Sequence, residues 1–190
     1  MLVMIRKSIA ALVAAFLFPI LSFSQDDVYG AGSMPFNDRG AVVFSQVIKQ
    51  DAPAPVLYSR IKAALSDLFV SFKDVLQLDD PDSGVMVVKG INKIENVVIS
   101  YTVKTEVKDG RFRAQVYDIV YTAHLTGGLP DTVWAAEVLT DSECLNKKGV
   151  CKKIGKGYAR RCVIDTASWL LAELEARTAA VSSPTADDNW

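Results

Sequence analysis

VVISYTVKTEVKDGRFRAQVYDIVY, residues Val97 to Tyr121, holds the reading that decides the fold. Two runs rich in β-branched and aromatic residues flank Lys108-Asp109-Gly110-Arg111, and an Asp-Gly pair between such runs predicts a β-hairpin with a two-residue type I′ turn. The turn sets the register. Val107 then faces Phe112, Thr105 faces Ala114, Val103 faces Val116 and Ile99 faces Val120, all on one side of the sheet. Ser100, Thr102, Lys104 and Glu106 fall on the other side with Arg113, Gln115, Tyr117, Ile119 and Tyr121. Glu106 lands opposite Arg113, a favourable cross-strand pair. Asp118 is placed on the core side opposite Tyr101, where an ionised carboxylate requires a hydrogen-bond partner.

Working outward, Val85 to Ile94 reads as a strand with apolar residues on both parities, as for a strand buried on both sides. Glu95-Asn96 is a turn, and Asp79-Asp-Pro-Asp-Ser-Gly84 is another. Asp74 to Leu78 is a short strand and Val42 to Ile48 a further one. Between them, Leu57, Ile61, Leu65, Leu68, Phe69 and Phe72 recur at helical spacing behind Pro53 and Pro55, which suit a helix start. Ala123 to Gly157 is less regular, with a short element at Trp134 to Leu139. A last helix is predicted from about Tyr158 to Thr178, with Val163, Ala167, Leu170, Leu171 and Leu174 on one face.

The ends carry different information. Arg6 and Lys7 precede an apolar run, Ile9 to Leu21, and Ser22-Phe23-Ser24 supplies small residues before Gln25, the pattern of a secretory signal peptide over residues 1–24. The run is short for a membrane span and contains Pro19, so no stable membrane insertion is expected after cleavage. Export places the protein in the periplasm or outside the cell. Residues 25–40 read as a flexible lead-in and residues 180–190 as a disordered tail. Removal of the signal leaves 166 residues, enough for one domain, over 41–179. The net charge is −1, and without Arg6 and Lys7 about −3. Mild acidity argues against a nucleic-acid binder, which is normally basic over the whole domain.

The order strand, helix, four strands, loop, helix makes this an α+β chain, β-α-β-β-β-β-α. Val42 to Lys49, Leu57-Tyr58, Phe72-Lys-Asp-Val-Leu-Gln-Leu-Asp79, Gly84, Val88-Lys-Gly90 and Glu106-Val-Lys-Asp-Gly-Arg-Phe-Arg113 through Tyr117-Asp118-Ile119 resemble a domain of unknown function with a TATA-binding-protein-like (TBP-like) fold. That family is typical of exported proteins of Gram-negative bacteria. The resemblance covers about residues 41–122 closely and 123–178 loosely. It implies a curved antiparallel sheet with helices packed on one face, and it implies no activity and no functional residue.

Chemistry-bearing residues are few. His124 is the single histidine, which removes every site needing two imidazoles, and no nucleophile elbow is present. Asp79, Asp80 and Asp82 offer hard oxygen ligands but lack calcium-loop spacing and its terminal Glu, so turn chemistry is the reading and no metal or cofactor is expected. Export allows a disulfide, and Cys144 and Cys151, with six residues including Gly149 between them, are the expected pair, with Cys162 as the other candidate partner of Cys144. Lys147, Lys148, Lys152, Lys153, Lys156, Arg160 and Arg161 lie in a stretch without acids, in the cysteine-bearing loop 123–157 and just beyond it. They form either a solvated basic loop or a binding site for an anion or acidic surface. Lys104, Arg113, Tyr117, Ile119 and Tyr121 share the sheet side opposite the helices. They make an aromatic and basic strip there, unless Trp134 or Ile154 covers it. The favoured function is a non-enzymatic exported module binding a protein or envelope component through that strip. A carboxylate-dependent hydrolase built on Asp118 is the alternative from another class.

Overall fold

The structure, a computed structural model, describes residues 27–124 and 129–180. The expected signal peptide at 1–24 and the tail beyond Ala180 lie outside these residues. In chain order the elements are β1 (Phe44–Lys49), α1 (Ala54–Leu68), α2 (Phe72–Val75), β2 (Leu76–Asp80), β3 (Val85–Ile94), β4 (Val97–Lys108), β5 (Arg111–Ala123), β6 (Thr132–Ala135), α3 (Asp141–Cys144) and α4 (Lys156–Ala180). The strands form one antiparallel sheet in the order β1-β5-β4-β3-β2, and β6 pairs with the far half of β5. This is the expected α+β arrangement of an antiparallel sheet with helices, with β6 added from the irregular segment.

The hairpin dictates the rest. Val107 pairs with Phe112, Thr105 with Ala114 and Val103 with Val116, as the Asp-Gly turn requires. The turn itself is not type I′, which needs positive φ at both central residues, because only Gly110 has it, at 74°. Its partners explain the difference. The Gly110 amide donates to Ala52 O (3.0 Å), the Gln50 amide donates to Gly110 O (3.0 Å), and the Ala54 amide donates to Asp109 Oδ1 (2.7 Å). The first orphan N–H of α1 is thus satisfied from the hairpin, and the turn adopts the shape that this docking demands.

A second departure matters more. Beyond Thr102↔Tyr117 the register shifts, and Ser100 pairs with Val120 and Ile99 with Tyr121, with Asp118 at φ 51°. This is a β-bulge, which adds one residue to β5 and reverses which side its later side chains face. Phe112, Ala114 and Val116 are buried before it, and Ile119, Tyr121 and Ala123 after it.

Both long helices lie on the buried side. Leu57, Ile61 and Leu65 of α1 are fully buried against the sheet, each contributing about 1.5–3 kcal/mol. Val163, Ala167, Leu170, Leu171 and Leu174 of α4 are buried as the spacing predicts, and Cys162 is a buried core residue among them. β3 is not covered on both sides: Met86, Val88 and Gly90 are buried while Lys89 and Ile91 are exposed, because among the described residues no layer covers the opposite side of the sheet. At Gly90 an added Cβ would lie 2.5 Å from Phe69 and 2.8 Å from the Tyr101 ring, so glycine is what lets the two aromatic rings pack there.

The lead-in is anchored from Asp27 onward rather than loose. Met34 is buried, and Arg160, fully buried in α4, donates to Gly30 O (2.6 Å), Ser33 Oγ (3.0 Å), Leu139 O (3.0 Å) and Asp141 Oδ1 (2.7 Å). A buried guanidinium needs such partners, and these segments supply them. Among the described residues no helix is long and apolar enough to cross a membrane.

Candidate functional site

The side of the sheet away from the helices has no element packed on it among the described residues, and the strand pairing lays it out in rows. Nearest the hairpin, Lys49, Arg111 and Lys108 stand side by side on β1, β5 and β4. The next row is Val47, Arg113, Glu106 and Val85, and the third is Ser45, Gln115, Lys104 and Val87. Tyr117, Thr102 and Lys89 follow, and Thr122, Val98 and Lys93 close the far end next to Val133. Neighbouring strands lie about 4.8 Å apart, so side chains in a row touch.

Charge on this side is unbalanced. It carries seven cations (Lys49, Lys89, Lys93, Lys104, Lys108, Arg111 and Arg113) against Asp80, Glu106 and, at the bulge, Asp118. Glu106 serves two of them, accepting from Arg113 Nε (2.9 Å) and Nη2 and from Lys104 Nζ (3.2 Å). Arg113 first, and Lys104 with it, holds the Glu106 carboxyl below its usual range. Exposed apolar side chains are interspersed, with Val47 at 56%, Ile91 at 68% and Val133 at 57%. Two depressions mark the surface. One, of about 230 Å³, is lined by Val47, Glu106, Lys108, Arg111, Phe112 and Arg113; the other holds Lys89, Ile91, Ser100, Thr102 and Asp118.

The expected strip is divided by the bulge. Lys104, Arg113 and Tyr117 are on the open side, where partial burial raises the Tyr117 phenol. Ile119, 1% exposed, and Tyr121, 4% exposed, are on the helix side instead. Trp134 stacks on Tyr121 (centroids 5.7 Å) and Tyr158 meets its edge, so this end of the strip is core, while Ile154 stays exposed. Asp118, expected in the core, is exposed beside Lys89 in the second depression. The bulge adds the residue that moves all three.

The basic segment is largely engaged in building its own loop. Lys152 Nζ donates to Glu143 O (2.7 Å), Lys156 Nζ pairs with Glu143 (2.9 Å), and Arg161 donates to Cys151 O (2.9 Å) with its guanidinium 4.5 Å from the Tyr29 ring centre. With Arg160 buried, Lys147, Lys148 and Lys153 remain exposed. The expected Cys144–Cys151 bridge is not formed. Both cysteines and Cys162 are free and buried, and the thiols of the pair turn to separate carbonyls at the start of α4, Cys144 to Lys156 O (3.3 Å) and Cys151 to Gly157 O (3.4 Å). Burial pushes the Cys144 and Cys162 thiols up.

The remaining candidates have local partners. His124 Nδ1 lies 2.9 Å from Asp131 Oδ2. Asp79 accepts from Tyr58 (2.7 Å) and Lys62 (2.5 Å), and Asp80 accepts from Ser83 (2.6 Å). Among the described residues no group of three His, Cys, Asp or Glu side chains is placed to hold a metal ion. Sequence reasoning missed Lys49, Lys89, Lys93, Lys108 and Arg111 as a set. The hairpin already pairs Lys108 with Arg111, but Lys49 joins them only through the non-local β1–β5 pairing.

Comparison with known proteins agrees with this architecture. Residues 44–122 match a family described as a domain of unknown function (DUF4468) with TBP-like fold. Among solved structures, a DUF4468 family protein from Bacteroides ovatus ATCC 8483 aligns with a TM-score of 0.65 at 20% identity, covering 85% of this chain and 97% of that one. A TBP-like protein from Parabacteroides distasonis ATCC 8503 aligns with a TM-score of 0.59 at 15% identity, covering 76% and 96%. No curated protein matches. The segment from strand β1 through the hairpin β4–β5, which builds the open face, thus matches the DUF4468 family model over residues 44–122, and the chain shares the TBP-like fold of these proteins.

Proposed function

We propose that this protein is a non-enzymatic exported module that binds a protein or envelope component through the open side of its sheet. The observation that carries the reading is the asymmetry of the sheet: α1 and α4 share one side, and the other presents cations, Tyr117 and exposed Val47, Ile91 and Val133. Mixed apolar and basic surface rich in contact area is what partner binding uses, and its cations speed encounter with an acidic partner. Export rests on residues 1–24, and the protein recovered from the periplasm or medium should begin at Gln25 on N-terminal sequencing; a start at Met1 refutes cleavage.

The test of the face is capture from envelope extracts. A Lys89→Ser, Lys104→Ser, Tyr117→Ala variant that keeps the parent's circular dichroism should lose the parent's specific partners. Retention of every partner would overturn the reading.

A further inference from the structure

The hairpin end of the face says what kind of partner it fits. Lys49, Arg111 and Lys108 are directly opposite one another on three adjacent strands, and no ion pair engages them among the described residues. Like charges facing each other across strands destabilise a sheet, so the fold keeps this row at a cost. It also holds the row rigidly. Lys108 and Arg111 flank the turn and Lys49 precedes Gln50, and the Gln50–Gly110, Gly110–Ala52 and Ala54–Asp109 hydrogen bonds tie these segments together. Of the nearby acids, Glu106 is committed to Arg113 and Lys104 and Asp109 to the start of α1, while Asp51 is exposed in the loop after Lys49 and pairs with none of the three. Three neighbouring cations that form no ion pair among the described residues make a surface complementary to carboxylates.

We propose that this end of the face docks an acidic, extended segment of a partner protein, with carboxylates against the Lys49–Arg111–Lys108 row and an apolar side chain on Val47. The proposal rests on the reading of the open face as the binding surface and names the partner's chemistry. A phosphate polymer fits less well. Val47 sits exposed in the adjoining row, offering apolar contact that such a polymer cannot use, and the Glu106 carboxylate lines the same depression as Arg111 and Lys108.

Three probes test it on the purified protein: a capped synthetic peptide of alternating Glu and Leu, the same peptide with Gln for Glu, and inorganic polyphosphate. The Glu peptide should bind, with affinity falling as salt rises. The Gln peptide should bind at least about tenfold more weakly, and a Lys108→Gln, Arg111→Gln variant should lose at least about tenfold toward the Glu peptide. That variant should melt no lower than the parent, since it relieves like-charge repulsion. Lys49→Gln provides the same binding test if the double variant fails to fold. A Lys147→Gln, Lys148→Gln control should bind as the parent does.

Equal binding of both peptides, undiminished binding by the row variants, no binding of the Glu peptide, or binding of polyphosphate alone would each overturn the proposal. Dimerisation of the parent that the row variants abolish would assign the row to a second copy, with the same result. If partners captured from extracts depend on Lys89, Lys104 and Tyr117 but not on Lys108 and Arg111, this inference fails while the reading of the face stands. Independence from both sets removes both.

Discussion

Arg160 shows how a single residue can be misjudged from sequence. It stands among basic neighbours in a segment without acids, yet it is the largest fully buried side chain, and its hydrogen bonds fasten residues 30–33 and 139–141 to α4. Replacing it with Met roughly keeps the volume but leaves Leu139 O without its donor and Asp141 without its ionic partner, and about 3 kcal/mol should be lost in urea unfolding. A loss below about 1 kcal/mol would show that the guanidinium is not the fastening.

Asp79 supplies a pH signature at the same scale. Hydrogen bonds from Lys62 first and Tyr58 second hold its carboxyl below the usual range, so its stabilisation is present above the unfolded value of about 4 and is lost as pH falls through the lower folded value. Asp79→Asn should therefore be less stable than the parent at pH 7, with the gap shrinking near pH 3. A gap that stays constant between the two pH values contradicts this.

At the scale of elements, the bulge in β5 governs which side chains reach the open face. Asp118 holds φ at 51°, a conformation that glycine adopts without strain and that costs other residues about 1 kcal/mol or more. Asp118→Gly should keep or raise the melting temperature. Deleting Asp118 should prevent folding, because Ile119 and Tyr121 would turn outward and the Trp134 stack would be lost. A deletion variant that folds with native spectra would refute the assigned register.

The hairpin pairs from Val107↔Phe112 to Val103↔Val116, the α1 stripe and the α4 stripe were legible because each follows from local period and turn chemistry. The bulge was not, since Ile119, Val120 and Tyr121 place apolar residues on both parities and nothing in Tyr117-Asp118 marks an extra residue. The type I′ expectation failed for a related reason. The shape of the turn depends on Gln50, Ala52 and Ala54, which lie far from it in sequence.

At the scale of the molecule, the fold sorts charge that the sequence mixes. A chain of net charge −1 gathers a basic surface on one side of its sheet because strand pairing brings Lys49 and Lys89 beside Lys104, Lys108, Arg111 and Arg113. Overall acidity therefore says little about this face. The basic residues the sequence advertised most strongly, from Lys147 to Arg161, contribute mainly to anchoring the loop before α4. Only Lys104, Arg113 and Tyr117 of the expected strip lie on the open side.

The most direct measurement is photo-crosslinking in cells, with a photoreactive amino acid replacing Tyr117 in one strain and the exposed Trp169 of α4 in another. Adducts to a specific partner should form from position 117 and not from position 169. Adducts from position 169 alone would place the binding surface on the helices and contradict the account.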